Sequence, residues 1–247
     1  MKFRILVLFC LSGMTSFAQL SIRDSAIAFP MIGASFQYQL PGGDMAYRFK
    51  GNFNAGALFQ WKLKSKWIFG IEGNYLFAES VKEADMLNGI TTSQGTVISE
   101  SGEPATILFQ ERGLLVYAKA GKLFPIIGPN KNSGLLTTIG VGLLQHKIRF
   151  ETKEDVPELD DDYAKGYDRL SNGLSLTEFV GYMHCGNSRL INFSVGIECT
   201  QGFTKNRRDF NFDTMSKDSK QRLDLLFGLK LSWFFLLYKH AATGFYY

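Results

Sequence analysis

The chain has 247 residues, of which 45% are hydrophobic, 20% charged and 14% aromatic, proportions that exclude a disordered chain. Lysine and arginine number 27 against 23 aspartate and glutamate, and a net charge of +4 is too slight to point to nucleic acid. With 22 Phe, 10 Tyr and 25 Gly but only 6 Pro, the composition favours many short strands over a helical core.

Lys2 and Arg4 place two positive charges ahead of an apolar run over 5–11. Ser16 and Ala18 supply small residues before a cut ahead of Gln19, so 1–18 reads as a secretory signal peptide. A short lead, 19–29, follows. The apolar run is too short to cross ~30 Å of hydrocarbon, and Phe9 is too bulky for lipid attachment at Cys10. Cleavage removes Lys2 and Arg4, which takes the net charge from +4 to +2. No later segment offers ~18 uninterrupted apolar residues. The nearest, 223–238, is broken by Asp224, Lys230 and Ser232. An exported chain without a membrane helix is either soluble outside the membrane or a β-barrel within it.

Eight strands are predicted in the rest, over 30–40, 49–63, 67–78, 112–124, 134–150, 173–184, 191–201 and 223–238. The second alternates almost perfectly: Phe53, Phe59, Trp61 and Leu63 share one face, and Lys50, Asn52, Gln60 and Lys62 the other. The seventh sets Ile191, Phe193, Val195, Ile197 and Cys199 against Asn192, Ser194 and Glu198, and the eighth sets Leu229, Leu231 and Trp233 against Asp224 and Lys230. The third puts Trp67, Phe69, Ile71 and Tyr75 opposite Glu72 and Asn74. The two faces are less distinct in the fourth, fifth and sixth strands.

The connections alternate between short and long. Lys64-Ser65-Lys66, 125–133 and 185–189 are turns, whereas 80–111, 151–172 and 204–221 are long loops and 41–48 is modest. Trp61 and Trp67 flank the shortest turn, and Trp233 and Tyr238 lie towards the same end, as an aromatic girdle at a membrane surface requires. A soluble lipocalin-like barrel would alternate in the same way with its apolar face inside. The density of Phe, Trp and Leu, the girdle and the loop asymmetry favour apolar-out. The expected fold is all-β: an eight-stranded antiparallel transmembrane barrel over 30–238 with short periplasmic turns, long extracellular loops and a C-terminal tail, 239–247.

On those features the chain resembles the small eight-stranded outer-membrane barrels of the OmpA, OmpX and OmpW-like group. The resemblance covers nearly the whole mature chain and is architectural. It implies residence in the cell outer membrane and contact with its lipid and lipopolysaccharide. Such barrels often end on an aromatic residue closing the last strand; here 240–244 intervenes before Phe245-Tyr246-Tyr247.

Parity places Lys50, Lys62, Glu72, Glu198, Asp224 and Lys230 inside, and Lys119 and Glu178 join them. Single buried charges are prohibitive, so these are expected to pair. A salt-bridged plug fits an eight-stranded lumen better than an ion path. Some barrels of this kind modify lipid A, and the deacylases among them resemble a His-x-Ser arrangement. Here His146 is followed by Lys147-Ile148, so the serine is absent and His146 reads as a polar residue near the rim. No catalytic, metal or cofactor site is expected. The loop over 151–172 is acidic, with Asp160, Asp161 and Asp162 beside Glu151, Glu154, Asp155 and Glu158, but lacks calcium-loop spacing. The loop after the seventh strand is basic, with Lys205, Arg207, Arg208, Lys217 and Lys220. The two can attract each other across the mouth, and Arg207 and Arg208 can touch lipopolysaccharide or a partner. Cys185 and Cys199 lie far apart on one hairpin and are expected to be free thiols. The apolar residues of 80–111 either extend the third and fourth strands as a hairpin or cap the mouth.

The expected role is non-enzymatic, exerted through the extracellular loops. The alternatives are a subunit of a larger envelope assembly such as a secretion translocon, and a narrow channel for small or apolar solutes.

Overall fold

A computed structural model of the protein describes residues 25–79, 81–186 and 190–237. The expected signal segment 1–18, the first part of the expected lead 19–29, Tyr238 and the expected tail 239–247 lie outside the described residues. The strands are β1 (Phe29–Gly43), β2 (Asn52–Lys62), β3 (Trp67–Ala78), β4 (Ile107–Phe124), β5 (Gly134–Thr152), β6 (Ser171–Cys185), β7 (Asn192–Asn206) and β8 (Gln221–Leu236). Each pairs antiparallel with its chain neighbour, and β8 returns to β1 to close one barrel. The closing register runs from Met31↔Leu236 to Gly43↔Asp224, so no open sheet edge is left.

The period-2 pattern explains which side each residue takes. Ile71, Ile139, Ile197 and Leu229 point outward and are 62–67% exposed. Asn54, Glu72, Thr200 and Lys230 alternate with such residues and are buried inside. An apolar exterior around a polar-centred, closed barrel belongs in hydrocarbon, not water. This is an all-β transmembrane barrel. No described helix is long and apolar enough to cross a membrane.

Two strand starts differ from expectation by three residues or more, each for a local reason. A helical turn, Met45–Arg48, brings the chain back from β1 and buries Met45 and Phe49 completely. That turn delays β2 until Asn52, so Lys50 stands exposed before the strand rather than inside the barrel. β4 begins at Ile107 and pairs upward with β5 as far as Ile107↔Thr152, whereas β3 stops at Ala78. The taller hairpin is therefore β4–β5, not the third and fourth strands. The 81–106 segment instead folds inward and caps the mouth, burying Met86, Leu87 and Val97.

The interior is filled in layers. Near the short turns Phe29, Met31, Ile68, Leu123, Met183 and Phe234 form an apolar floor. Near the loops Phe49, Leu76, Leu115, Tyr117, Leu144 and Leu226 meet the capping residues in an upper apolar cluster. Charged and amide side chains lie between. Gly142 makes room for this filling, because a Cβ there would sit 1.8 Å from the Val116 carbonyl oxygen and 2.7 Å from the Tyr117 ring. Gly73 faces open space. Gly142→Val is expected to abolish or sharply lower the temperature at which the folded band converts to the unfolded one on SDS gels, while Gly73→Ala leaves that temperature unchanged.

Candidate functional site

Four charged side chains form a ring across the barrel's middle. Lys119 Nζ lies 2.7 Å from Glu72 and 2.5 Å from Glu198. Lys230 Nζ lies 3.0 Å from Glu198 and also contacts Glu72. Each lysine bridges both glutamates, so the ring is neutral and closed. β3, β4, β7 and β8 contribute one member each, because these residues all fall on the inward parity of their strands. Glu72 also accepts hydrogen bonds from Asn74 Nδ2 at 2.9 Å and from the Ser35 hydroxyl at 3.2 Å, which satisfies further lone pairs. The cavity beside the ring holds about 20 Å³, room for roughly one water and not for a solute.

The other expected members of the network go elsewhere. Lys62 is fully buried, but its ammonium is held by neutral oxygens, Ile27 O at 2.9 Å and Asn132 Oδ1 at 2.8 Å, and so stitches the floor. Asp224 sits one layer above the ring, 2.9 Å from His146 Nε2, and accepts from the Thr204 hydroxyl. His146 is therefore wholly buried in the lumen rather than at the rim, against the edge of Phe49. The pair resembles part of a catalytic set, but the hydroxyl bonds the carboxylate instead of the ring. Glu178 points outward, between Leu176 and Val180 on its own strand and opposite Ile139 and Cys199 on the neighbours. Thr177 and Phe179 take the inward positions instead.

At the turn end Trp61, Trp67 and Trp233 face outward, each 43–44% exposed. Trp233 Nε1 donates to Leu190 O at 2.7 Å, and Lys122 Nζ lies 5.6 Å from the Trp67 ring. A second aromatic row at the loop end escaped the sequence reading. Phe36, Phe53 and Phe77 stack in succession with Tyr38 and Tyr75 beside them. The alternation contained this signal, since all five share the outward parity of β1, β2 and β3.

The acidic and basic loops do meet, through residues other than the aspartate triplet. Arg208 binds the Asp168 carboxylate through Nε at 2.7 Å and through a second nitrogen, and Arg169 binds Glu83 and Asp213. The hydrogen bond to Asp168 raises the Arg208 pKa above its ordinary value. Asp160 lies exposed at the start of a short helical turn, Asp161–Ala164. Asp162 pairs with Lys165 in that same segment, which lowers its pKa through the hydrogen bond. Of Asp161 only the backbone is described. Arg207 hydrogen-bonds Asn172 Oδ1 at 2.6 Å. Cys185 is buried at the end of β6 and Cys199 faces out from β7, and both are free thiols.

No protein-family model matches the sequence, and no curated protein matches it. Among solved structures the chain is similar to Neisserial surface protein A, at TM-score 0.42 and 8% identity over 83% of this chain and 97% of that one. It is also similar to Ail, the attachment invasion locus protein of Yersinia pestis, at TM-score 0.39 and 10% identity over 85% of this chain and 99% of that one. Ail in complex with the heparin analogue sucrose octasulfate gives TM-score 0.38 and 11% identity over the same shares. Likeness at this distance says nothing of function.

Glu72→Gln leaves Lys119 and Lys230 sharing one carboxylate in a closed interior. The expected loss is about 3–5 kcal/mol, read as a lower denaturation midpoint in detergent. Adding Lys230→Met restores neutrality and should recover much of that loss.

Proposed function

We propose that this is an exported outer-membrane protein that acts without catalysis, through the platform its long loops build at the barrel mouth. On this reading 1–18 directs export, the short turns lie in the periplasm, and the loops face outward among lipopolysaccharide. One observation carries it: the lumen is filled from floor to cap, so the rim and the outer wall are the surfaces left for work. The loops at that rim are cross-braced by Arg169, Arg208, Glu83, Asp168 and Asp213, which holds them as one surface. The layered filling speaks against a channel, and the bonding around His146 speaks against an enzyme. In a Cys199→Ser background, Ser93→Cys in the exposed second loop is expected to react with a membrane-impermeant maleimide on intact cells. Ser65→Cys, exposed in the turn between β2 and β3, should react only after the outer membrane is opened. Reversed labelling would overturn this orientation, and conductance steps in a planar bilayer would restore the channel reading.

Glu178 favours a second reading, that of a subunit in a larger envelope assembly. A carboxyl facing hydrocarbon at mid-wall costs energy that a partner's donor would recover. This reading expects a stable partner in mild detergent that is lost on Glu178→Lys, and a monomer-sized wild-type particle counts against it.

A further inference from the structure

We infer that a cleft on the outer wall, between the upper end of β5 and the 157–168 segment, binds a phosphate group of an outer-leaflet glycolipid. The inference rests on the outer-membrane reading above and adds a site to it. The cleft has a volume of about 160 Å³ and is lined by Lys147, Arg149, Lys165, Arg208 and Asp168. Four cations thus face one carboxylate. That carboxylate is already committed to Arg208. Lys165 is paired with Asp162, but both side chains are more than half exposed, and such a pair breaks at little cost. Lys147 and Arg149 form no ion pair with any described residue.

The neighbouring strand adds to the excess. Arg112 on β4 stands directly opposite Lys147 in the β-ladder, and like charges in that position repel. The Arg112 guanidinium hydrogen-bonds Gln110 Oε1 and two backbone carbonyls. Gln110 in turn donates to the Glu151 carboxylate, two residues above Arg149 on the same face of β5, so Arg112, Lys147, Arg149, Lys165 and Arg208 still outnumber Glu151, Asp162 and Asp168. An arrangement of this kind calls for an anion from outside the chain. Phosphate fits it, because guanidinium groups engage phosphate oxygens in pairs while an ammonium supplies a point charge.

Position identifies the source as a lipid. Going up the outward face of β5, Ile139, Val141 and Leu143 give way to Gln145, Lys147 and Arg149. On β6 Leu176 and Leu174 give way to Asn172. The cations therefore begin where the apolar wall ends, the level at which headgroup phosphates stand above their acyl chains. On the opposite wall the outward residues at the loop end are Tyr38, Leu40, Phe53 and Tyr75, with no cation among them. The charge is confined to one side of the barrel, so this is a site and not a uniform ring of interfacial basic residues.

The test reconstitutes the full-length mature protein into phosphatidylcholine nanodiscs carrying either diphosphoryl lipid A or the same lipid stripped of its phosphates. Lipid retained by the released protein is counted by native mass spectrometry. The wild type should retain the phosphorylated form roughly tenfold better, a difference of about 1.4 kcal/mol. Lys147→Gln with Arg149→Gln should erase that preference, and Lys147→Gln alone should halve it or more. Lys50→Gln, the loss of one exposed cation in the connection between β1 and β2, should leave it intact. Folding of each variant is checked by its heat-dependent gel shift, and the single variant serves if the double one fails to fold. Equal retention of the two lipids, or an unchanged preference in the variants, overturns the site while leaving the outer-membrane reading standing. Displacement of the lipid by inorganic phosphate at constant ionic strength assigns the cleft to a soluble anion and overturns the lipid source. Failure of the outer-membrane reading would show separately, as absence of the protein from the outer-membrane fraction.

Discussion

Everything in this molecule depends on closing β8 against β1. Inside hydrocarbon a backbone amide or carbonyl without a partner costs several kcal/mol, so a sheet can stand there only if it has no edge. The thirteen-residue register from Met31↔Leu236 to Gly43↔Asp224 removes the last edge. Closure then dictates the rest. With eight strands the lumen is only as wide as the side chains that fill it, and whatever the strands turn inward must pack or pair.

That requirement explains the layering. Large apolar side chains seal the floor and the cap, which leaves the middle dry and makes any isolated charge there prohibitive. The chain places two lysines and two glutamates in the middle, and each ion touches both opposite charges. The ring also bears on strand register. Its members come from β3, β4, β7 and β8, so a two-residue slip between any of these strands would keep the in-out parity but break the pairing. An apolar filling would not penalise such a slip in the same way. A filled lumen leaves a platform braced by Arg169 and Arg208 and a wall facing lipid as the surfaces open to other molecules, which is the ground of the proposed role.

The barrel was legible in the sequence wherever one face is uniformly apolar. In β3 the expected and observed bounds coincide at 67–78 because outward Phe69, Ile71 and Tyr75 contrast sharply with inward Glu72 and Asn74. β6 offers no such contrast. Phe179 is needed inside for the floor and Glu178 stands outside, so polarity alone assigns both to the wrong face. Lys50 was misplaced for a different reason. Alternation was counted through Phe49 as though the strand were continuous, but the helical turn Met45–Arg48 breaks the count and sends the Phe49 ring inward. His146 and Asp224 are 78 residues apart, and only the barrel register brings them together. Pairings between loops, such as Arg208 with Asp168, follow from tertiary packing and left no mark on periodicity. The loop-end aromatic row is present in the alternation, carried by Phe and Tyr rather than by Trp.

The outer wall is not symmetric, and this is where structure bears most directly on function. On β8, β1, β2 and β3 the outward face is apolar or aromatic from the turns to the mouth, a surface suited to lipid without preference. On β4 to β7 it carries Glu178 at mid-height and Arg112, Lys147, Arg149 and Lys205 near the mouth, against the single carboxylate of Glu151. A barrel that needed only to dissolve in a bilayer would gain nothing from charges on one side. Outward residues are constrained neither by lumen packing nor by ladder hydrogen bonds, which are made by the backbone whatever the side chain. Their uneven placement therefore reflects what lies against the barrel. On the proposed readings, a headgroup anion near the mouth and a protein donor at mid-wall are separable contacts on the same side, and the smooth wall opposite serves as the built-in control for both.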